Sequence, residues 1–300
     1  MNERRKILAI VGPTATGKSA LAVSLARKFV GEIISADSRQ VYKGLDIGTG
    51  KVTKKEMRGV PHHLLDVADP KQQFSVALYQ ALARKKLEEI LSRGKLPIIV
   101  GGTGLYVQAL THEAAYPEVK PDLKLRKTLH AKTPPQLYDM LKKLDPRRAD
   151  TIDCHNPHRL VRAIEIARSL GKVPAYRNAP REDIDTHIIG LTLPRDELKE
   201  KIAKRLSARM KSGMVAEAKR LHAKSLSWKR MEALGLEYRY LARYLKVKSE
   251  KQKILEELQR EIYKYAKRQM TWFRKDARVR WFSPSDRQKI EREVRVFLRN

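Results

Sequence analysis

The chain has one cysteine, Cys154, in 300 residues, which excludes an intramolecular disulfide and a zinc site built on paired cysteines. It has no apolar run near the roughly 20 residues that a membrane-spanning helix needs. No cleavable leader is expected either, because Met1 to Lys6 leads straight into the first apolar stretch. The expectation is a cytoplasmic protein with no membrane association. Repeats and low-complexity segments are absent as well. Acidic residues are scarce against basic ones, 34 against 64, which leaves a net charge of +30. With 42% hydrophobic residues, the chain can bury one large core or a core with an inserted subdomain.

That charge exceeds what solubility requires. Arg195 to Asn300 holds 31 basic and 14 acidic residues, a net of +17. Helix surfaces usually mix both signs, as Lys251 to Glu261 does here. An excess on this scale fits a polyanionic partner, and nucleic acid outranks an anionic membrane because no amphipathic anchor is evident.

The strongest positive signal is Ile7-Leu8-Ala9-Ile10-Val11 followed by Gly12, Pro13, Thr14, Ala15, Thr16, Gly17, Lys18 and Ser19. This is G-x-x-x-x-G-K-S/T, placed between an apolar strand and the helical run from Ser19 to Ala26. Glycines let such a loop turn its N–H groups toward phosphate oxygens, and the helix N-terminus adds positive potential. Lys18 supplies a cation, and the Ser19 hydroxyl is a candidate ligand for Mg²⁺. The motif implies a diphosphate or triphosphate without specifying ATP.

Further strands are expected at Glu32 to Ala36, Leu96 to Val100 and Ile188 to Leu193, with a helix over Phe74 to Arg93. Such alternation predicts an α/β fold, a P-loop NTPase-like parallel sheet flanked by helices. The core is expected over 1–112 and again over 188–300, where the chain reads as almost all helix from Asp196. Residues 113–187 read as a mostly helical insertion. In open parallel sheets ligands sit beyond the carboxyl ends of the strands. The phosphate loop, Asp37 and Thr103 each follow a strand, so all three should face one crevice. Asp37 reads as a general base or a metal-side carboxylate, or alternatively as a helix cap. Thr103, within Gly101-Gly102-Thr103-Gly104, reads equally well as part of a tight turn. The adjacent His62 and His63 read as structural, because neighbouring side chains seldom chelate one ion together.

Six further stretches extend the pattern: Ser35-Ala36-Asp37-Ser38-Arg39-Gln40-Val41-Tyr42, Asp46 to Lys51, Gly59 to Asp66, Gly101 to Tyr106, Asn156 to Glu165, and Tyr265 to Arg274. With the phosphate loop, and in this order over nearly the whole chain, they resemble the tRNA dimethylallyltransferase (tRNA isopentenyltransferase) family in its bacterial form. The single cysteine is at odds with the zinc finger of eukaryotic relatives. Gly235-Leu236-Glu237 departs from the family, which often has tyrosine in the middle position.

The resemblance implies transfer of a dimethylallyl group from its diphosphate to N6 of the adenosine 3′ of the anticodon, reached by flipping the base out of its stack. The diphosphate would occupy Gly12 to Ser19, with Lys18 and Mg²⁺ near Ser19 stabilising the leaving pyrophosphate. Arg205 matches a family arginine that grips that group. Thr103 would bond the bridging oxygen, and Asp37 would accept the amine proton. Asp37, Ser38, Arg39 and Gln40 match the segment that reads the adenine. The stretch His158, Arg159, Leu160, Val161 and Arg162 matches an RNA-contacting segment, with Lys124 or Arg126 a further contact and Lys267 and Arg268 part of the C-terminal motif. Arg159 and Arg162 share a helix face, which suits phosphate contacts and equally suits a surface pair bonded to Glu165. Partners on this reading are the tRNA anticodon stem-loop and dimethylallyl diphosphate, and the chain acts as a monomer. The alternatives are an adenylate isopentenyltransferase, a P-loop small-molecule kinase and a non-enzymatic RNA-binding protein.

Overall fold

The computed structural model describes residues 5–114, 116–175, 179–247 and 251–300; the first four residues of the start that precedes the first strand lie outside them. The chain forms two compact units, one of Met1–His112 with Pro180–Asn300 and a second of Glu113–Ala179.

The first unit is built on strands β1 (Arg5–Val11), β2 (Gly31–Ser35), β3 (His62–His63), β4 (Leu96–Val100), β5 (Ile184–Leu191) and β6 (Val279–Phe282). Its early helices are α1 (Lys18–Lys28), α2 (Lys54–Met57), α3 (Val76–Ser92) and α4 (Gly104–Thr111). The second unit holds α5 (Leu123–His130), α6 (Pro134–Leu144), α7 (Pro146–Ala149) and α8 (Pro157–Leu170). Back in the first unit follow α9 (Arg195–Lys211), α10 (Met214–Ala223), α11 (Trp228–Leu234), α12 (Leu236–Val247), α13 (Lys251–Phe273) and α14 (Arg287–Arg299).

The strands form one sheet in the order β3-β2-β4-β1-β5-β6, with every pairing parallel. Parallel strands need helical crossovers and are covered on both faces, so the central strands read as continuous apolar runs. Leu8, Ile10, Ile98, Val100, Ile189 and Leu191 share one core with Leu21, Leu25, Ile290 and Val294 of α1 and α14. The alternate residues Ile7, Ala9, Ile34 and Ile99 are equally buried, and on that side the Tyr79 hydroxyl of α3 donates to Ser35 O at 3.1 Å. Tyr79 also stacks on Tyr106 of α4 with ring centroids 3.8 Å apart, so α3 and α4 are tied together under the sheet.

The C-terminal third is almost all helix, as expected, with one short strand in it: β6 pairs with β5 from Ile188 opposite Val279 to Leu191 opposite Phe282. Four residues at a sheet edge, with Arg280 exposed between buried Val279 and Phe282, carry too little periodicity to stand out between two long helices. The second unit ends at Ala179 and not at residue 187, since β5 already pairs Ile184 with Arg5.

The second unit packs around Leu129, Leu137, Leu141, Leu160, Val161 and Ile164. Its last helix begins at Pro157 behind Asn156, whose side chain accepts the Arg159 N–H, an N-cap with proline in the first turn.

At the end of β1, Gly12 has φ +132°, and a Cβ there would lie 2.3 Å from Leu191 O. Gly12→Ala is expected to lower the free energy of unfolding by about 2 kcal/mol or more, through backbone strain and this clash. Urea unfolding of the variant against the parent chain measures it.

Candidate active site

The carboxyl edge of the sheet holds a cavity of about 470 Å³. Its wall includes Thr14, Ala15, Gly17, Lys18 and Ser19 of the loop between β1 and α1, Asp37 and Gln40 after β2, and Gly101 and Gly102 after β4. Arg205 from α9 and Tyr265 and Gln269 from α13 close it. Gly12, Pro13 and Thr16 lie buried beneath the loop. There Pro13 O accepts the Thr16 hydroxyl at 2.9 Å and the Lys18 ammonium at 2.6 Å. Ala15 and Gly17 both take positive φ, 66° and 86°, the alternation that turns successive N–H groups toward one point.

The charge in this wall is lopsided. Enclosure and the neighbouring Arg205 push the Lys18 ammonium down to about 7, against the pull of Asp37. Arg205 is in turn pushed down to about 10 by burial and by Arg209, against pulls from Glu237 and Asp37. Its guanidinium donates to the Thr14 hydroxyl at 3.0 Å and to Gly50 O at 3.3 Å, so it turns into the cavity and not toward solvent. Cations that destabilise one another in this way mark a place prepared for an anion.

Asp37 Oδ1 accepts the N–H groups of Arg39 at 2.8 Å and Gln40 at 3.3 Å. The carboxylate therefore caps the turn after β2 and also lines the cavity. Gln40 donates weakly to Thr49 O and Gly50 O at 3.4 Å. Ser38 and Arg39 are half-buried beside it and do not form the wall. Thr103 stands one residue beyond the Gly101–Gly102 wall. Its Oγ1 accepts the Ser38 N–H at 3.1 Å, and its side chain is hydrogen-bonded to Tyr265, whose phenol burial pushes up to about 12.

No group of three His, Cys, Asp or Glu side chains is placed to hold a metal among the described residues. The exposed Ser19 hydroxyl and the Asp37 carboxylate share the cavity wall. This sparse oxygen set suits Mg²⁺, which keeps most of its waters and binds chiefly through substrate phosphates. His62 and His63 form β3, with His62 Nδ1 at 2.8 Å from Val60 O and His63 Nε2 at 2.7 Å from Glu32.

The loop Asp46 to Lys51 is held from behind by residues that sequence reasoning missed. Glu217 of α10 accepts the N–H groups of Asp46, Ile47 and Gly48 at 3.0, 2.8 and 2.9 Å, and the Tyr238 hydroxyl at 2.6 Å. Arg209 donates to Gly48 O and is paired with Glu237 at 3.0 Å, which gives the divergent Gly235-Leu236-Glu237 segment a definite contact. Nothing in helical periodicity distinguishes Glu217 from a solvated glutamate; only its depth in the fold does.

In the second unit, Arg126 and Arg162 converge on Glu165. Arg126 makes two bonds to it at 2.7 and 2.8 Å, and Arg162 one at 3.3 Å. Burial raises the Glu165 carboxyl, but Arg126, the Asp122 N–H and Arg162 outweigh burial and hold it below the ordinary glutamate range. Arg126 and Arg162 are therefore both paired with Glu165, and Arg162 keeps part of its side chain exposed. Leu160 and Val161 are 0% and 3% exposed; their side chains belong to the core and offer nothing to RNA. Lys124, His158 and Arg159 remain exposed, as do Lys267 and Arg268 on α13, where Arg268 lies over the Tyr265 ring at 5.7 Å.

The sheet and its phosphate loop define the class, an α/β protein of P-loop type. Comparison with known proteins then gives the family. The family model described as "IPP transferase" matches residues 40–276, and the chain belongs to that family of prenyltransferase enzymes. A tRNA dimethylallyltransferase of Anoxybacillus flavithermus is 39% identical over 98% of this chain and 95% of its own. The crystal structure of a full-length tRNA isopentenylpyrophosphate transferase from Bacillus halodurans aligns at 37% identity and a TM-score of 0.71, covering 97% of this chain and 96% of that one. A eukaryotic dimethylallyltransferase acting on tRNA aligns at 29% identity and a TM-score of 0.78, covering 89% and 69%.

Inorganic pyrophosphate is expected to bind this cavity, and Arg205→Ala to weaken it by about 10- to 100-fold, the loss of charged hydrogen bonds. Isothermal titration of the two proteins decides it, and equal affinities would remove Arg205 from the anion site.

Proposed function

We propose that the chain transfers the dimethylallyl group of dimethylallyl diphosphate to N6 of the adenosine 3′ of the anticodon of tRNA, in the cytoplasm. The observation that carries the reading is the meeting of Lys18, Arg205 and Asp37 on one cavity at the carboxyl edge of the sheet. Family membership and the names of the relatives support it.

The residues divide the work. The N–H groups of the phosphate loop, with Lys18 and Arg205, hold the diphosphate and take up the negative charge that grows as C1–O breaks. Mg²⁺, held by Ser19 and the diphosphate with Asp37 nearby, would add charge compensation to the departing pyrophosphate. The N6 lone pair forms the new bond to C1, the C1–O electron pair leaves with pyrophosphate, and the amine proton passes to the Asp37 carboxylate. A neutral amine is a poor nucleophile toward carbon, so a base within hydrogen-bond reach matters. Thr103, tied to Tyr265 and Ser38, would bond the bridging oxygen. Lys124, His158, Arg159, Lys267 and Arg268 are the exposed cations and imidazole offered to tRNA phosphates.

An adenylate-modifying enzyme would share this cavity but has no use for the +17 of the C-terminal third. Labelled dimethylallyl diphosphate offered with unmodified tRNA, with AMP, or with no acceptor separates the readings; label in AMP and not in tRNA would overturn this one. Asp37→Ala is expected to lower kcat by about 10² to 10⁴ with tRNA affinity little changed, as steady-state kinetics and filter binding would record.

The two kinds of arginine in the second unit should respond differently. Arg159→Ala is expected to reduce the slope of log K for tRNA against log[salt] by about 1. Arg126→Ala leaves Glu165 buried without its main partner and should destabilise by about 3 kcal/mol, visible in calorimetry before it appears in the slope.

A further inference from the structure

Gln269 lies one helical turn after Tyr265 on α13 and is only 6% exposed. Its side chain spans two backbone segments with separate duties. Oε1 accepts the Thr14 N–H of the phosphate loop at 2.9 Å, and Nε2 donates to Gly102 O, beside Thr103, at 2.9 Å. The partners demand opposite polarity, so the amide orientation is fixed by the bonds themselves. The approach is close enough that a Cβ at Gly102 would lie 2.0 Å from Nε2.

Packing alone does not account for this residue. Ile262, Ala266 and Phe273 already bury the same helix, and an apolar side chain at 269 would fill the space without the bonds. A buried amide that satisfies one N–H and one C=O on different loops acts as a spacer between them.

We propose that Gln269 is a positioning residue of the transfer reaction, fixing the separation between the loop that holds the donor diphosphate and the Gly101–Thr103 segment, which is bonded to Ala36 and Ser38 on either side of Asp37. This rests on the functional reading above. Displacement at carbon requires the nucleophile and C1 to meet at about 3–3.5 Å, and a misplacement of 1 Å can cost about 10²-fold in rate. A direct tie between these two segments, made by a residue in the cavity wall, controls that distance.

The test compares Gln269→Leu, which loses both bonds, and Gln269→Asn, which keeps the amide but is one methylene too short to span both partners. Single-turnover transfer at saturating dimethylallyl diphosphate and tRNA is measured alongside the separate affinities for each and the melting temperature. The expected result is a saturating rate reduced about 10- to 100-fold in the leucine variant, an intermediate loss in the asparagine variant, and tRNA affinity within about twofold of the parent. A saturating rate equal to the parent in either folded variant overturns the proposal, as does a loss confined to donor affinity or to melting temperature. The asparagine variant keeps a polar group at the site and so preserves the comparison if leucine impairs folding. Failure of the parent chain itself to prenylate tRNA would instead overturn the functional reading, and this inference with it.

Discussion

Burial weakens the grip of both Lys18 and Arg205 on their protons, and neighbouring cations add to it, Arg205 acting on Lys18 and Arg209 acting on Arg205. That arrangement is unfavourable until an anion arrives, and the architecture around it exists to keep the two cations in place. Thr14 and Gly50 O hold Arg205 from one side. Arg209, drawn to Glu237, presses from the other. The Asp46 to Lys51 loop that supplies Gly50 is fixed by three N–H bonds to a buried Glu217. A charged acceptor satisfied by three backbone donors is rigid, since release of any one exposes a desolvated carboxylate. Preorganisation here means that the electrostatic strain is stored in the folded state and relieved on binding.

The same logic explains why a loop known for nucleotide phosphates suits an allylic diphosphate. Whether P–O or C–O breaks, the leaving group gathers negative charge on phosphate oxygens, and N–H dipoles with two cations stabilise it in either case. What distinguishes one chemistry from the other is the nucleophile side of the cavity. On the proposed reading that side carries Asp37, whose Oδ1 is already committed to the Arg39 and Gln40 N–H groups. Those bonds orient the carboxylate and leave its second oxygen without a bond among the described residues, which is the geometry a base requires.

The phosphate loop and the central strands were legible because their signals are local and dense: an apolar run, a fixed glycine spacing and a helix within about twenty residues. Arg5–Val11, Gly31–Ser35 and Leu96–Val100 appear where those runs stand. Val279–Phe282 was not legible, because an edge strand of four residues buries only two side chains and its partner lies far away in sequence. Arg126 and Arg162 show a different failure. Spacing predicted that Arg162 lies within reach of Glu165, yet could not reveal that Glu165 is nearly buried and that Arg126 arrives from another helix to share it. Leu160 and Val161 sit inside a motif that resembles an RNA contact, but motif membership does not decide which face of a helix a side chain occupies. Gln269 shares a helical stripe with the buried Ile262, Ala266 and Phe273, and only its two bonds separate it from them.

The positive charge of this chain thus falls into two populations with different physics. Lys18, Arg205 and Arg209 are enclosed, fixed by named bonds and little screened by salt, so their effect is on a localised anion. Lys124, Arg159, Lys267 and Arg268 are exposed and screened, so on the proposed reading their effect is the release of counterions from a polyanion. A net charge of +30 does not by itself separate these roles; burial does. Arg126 and Arg162 stand between the two, partly buried and paired with the Glu165 carboxylate. Removing an enclosed cation should therefore act on the chemistry and removing an exposed one on salt-dependent encounter, while loss of a paired one acts on the fold itself.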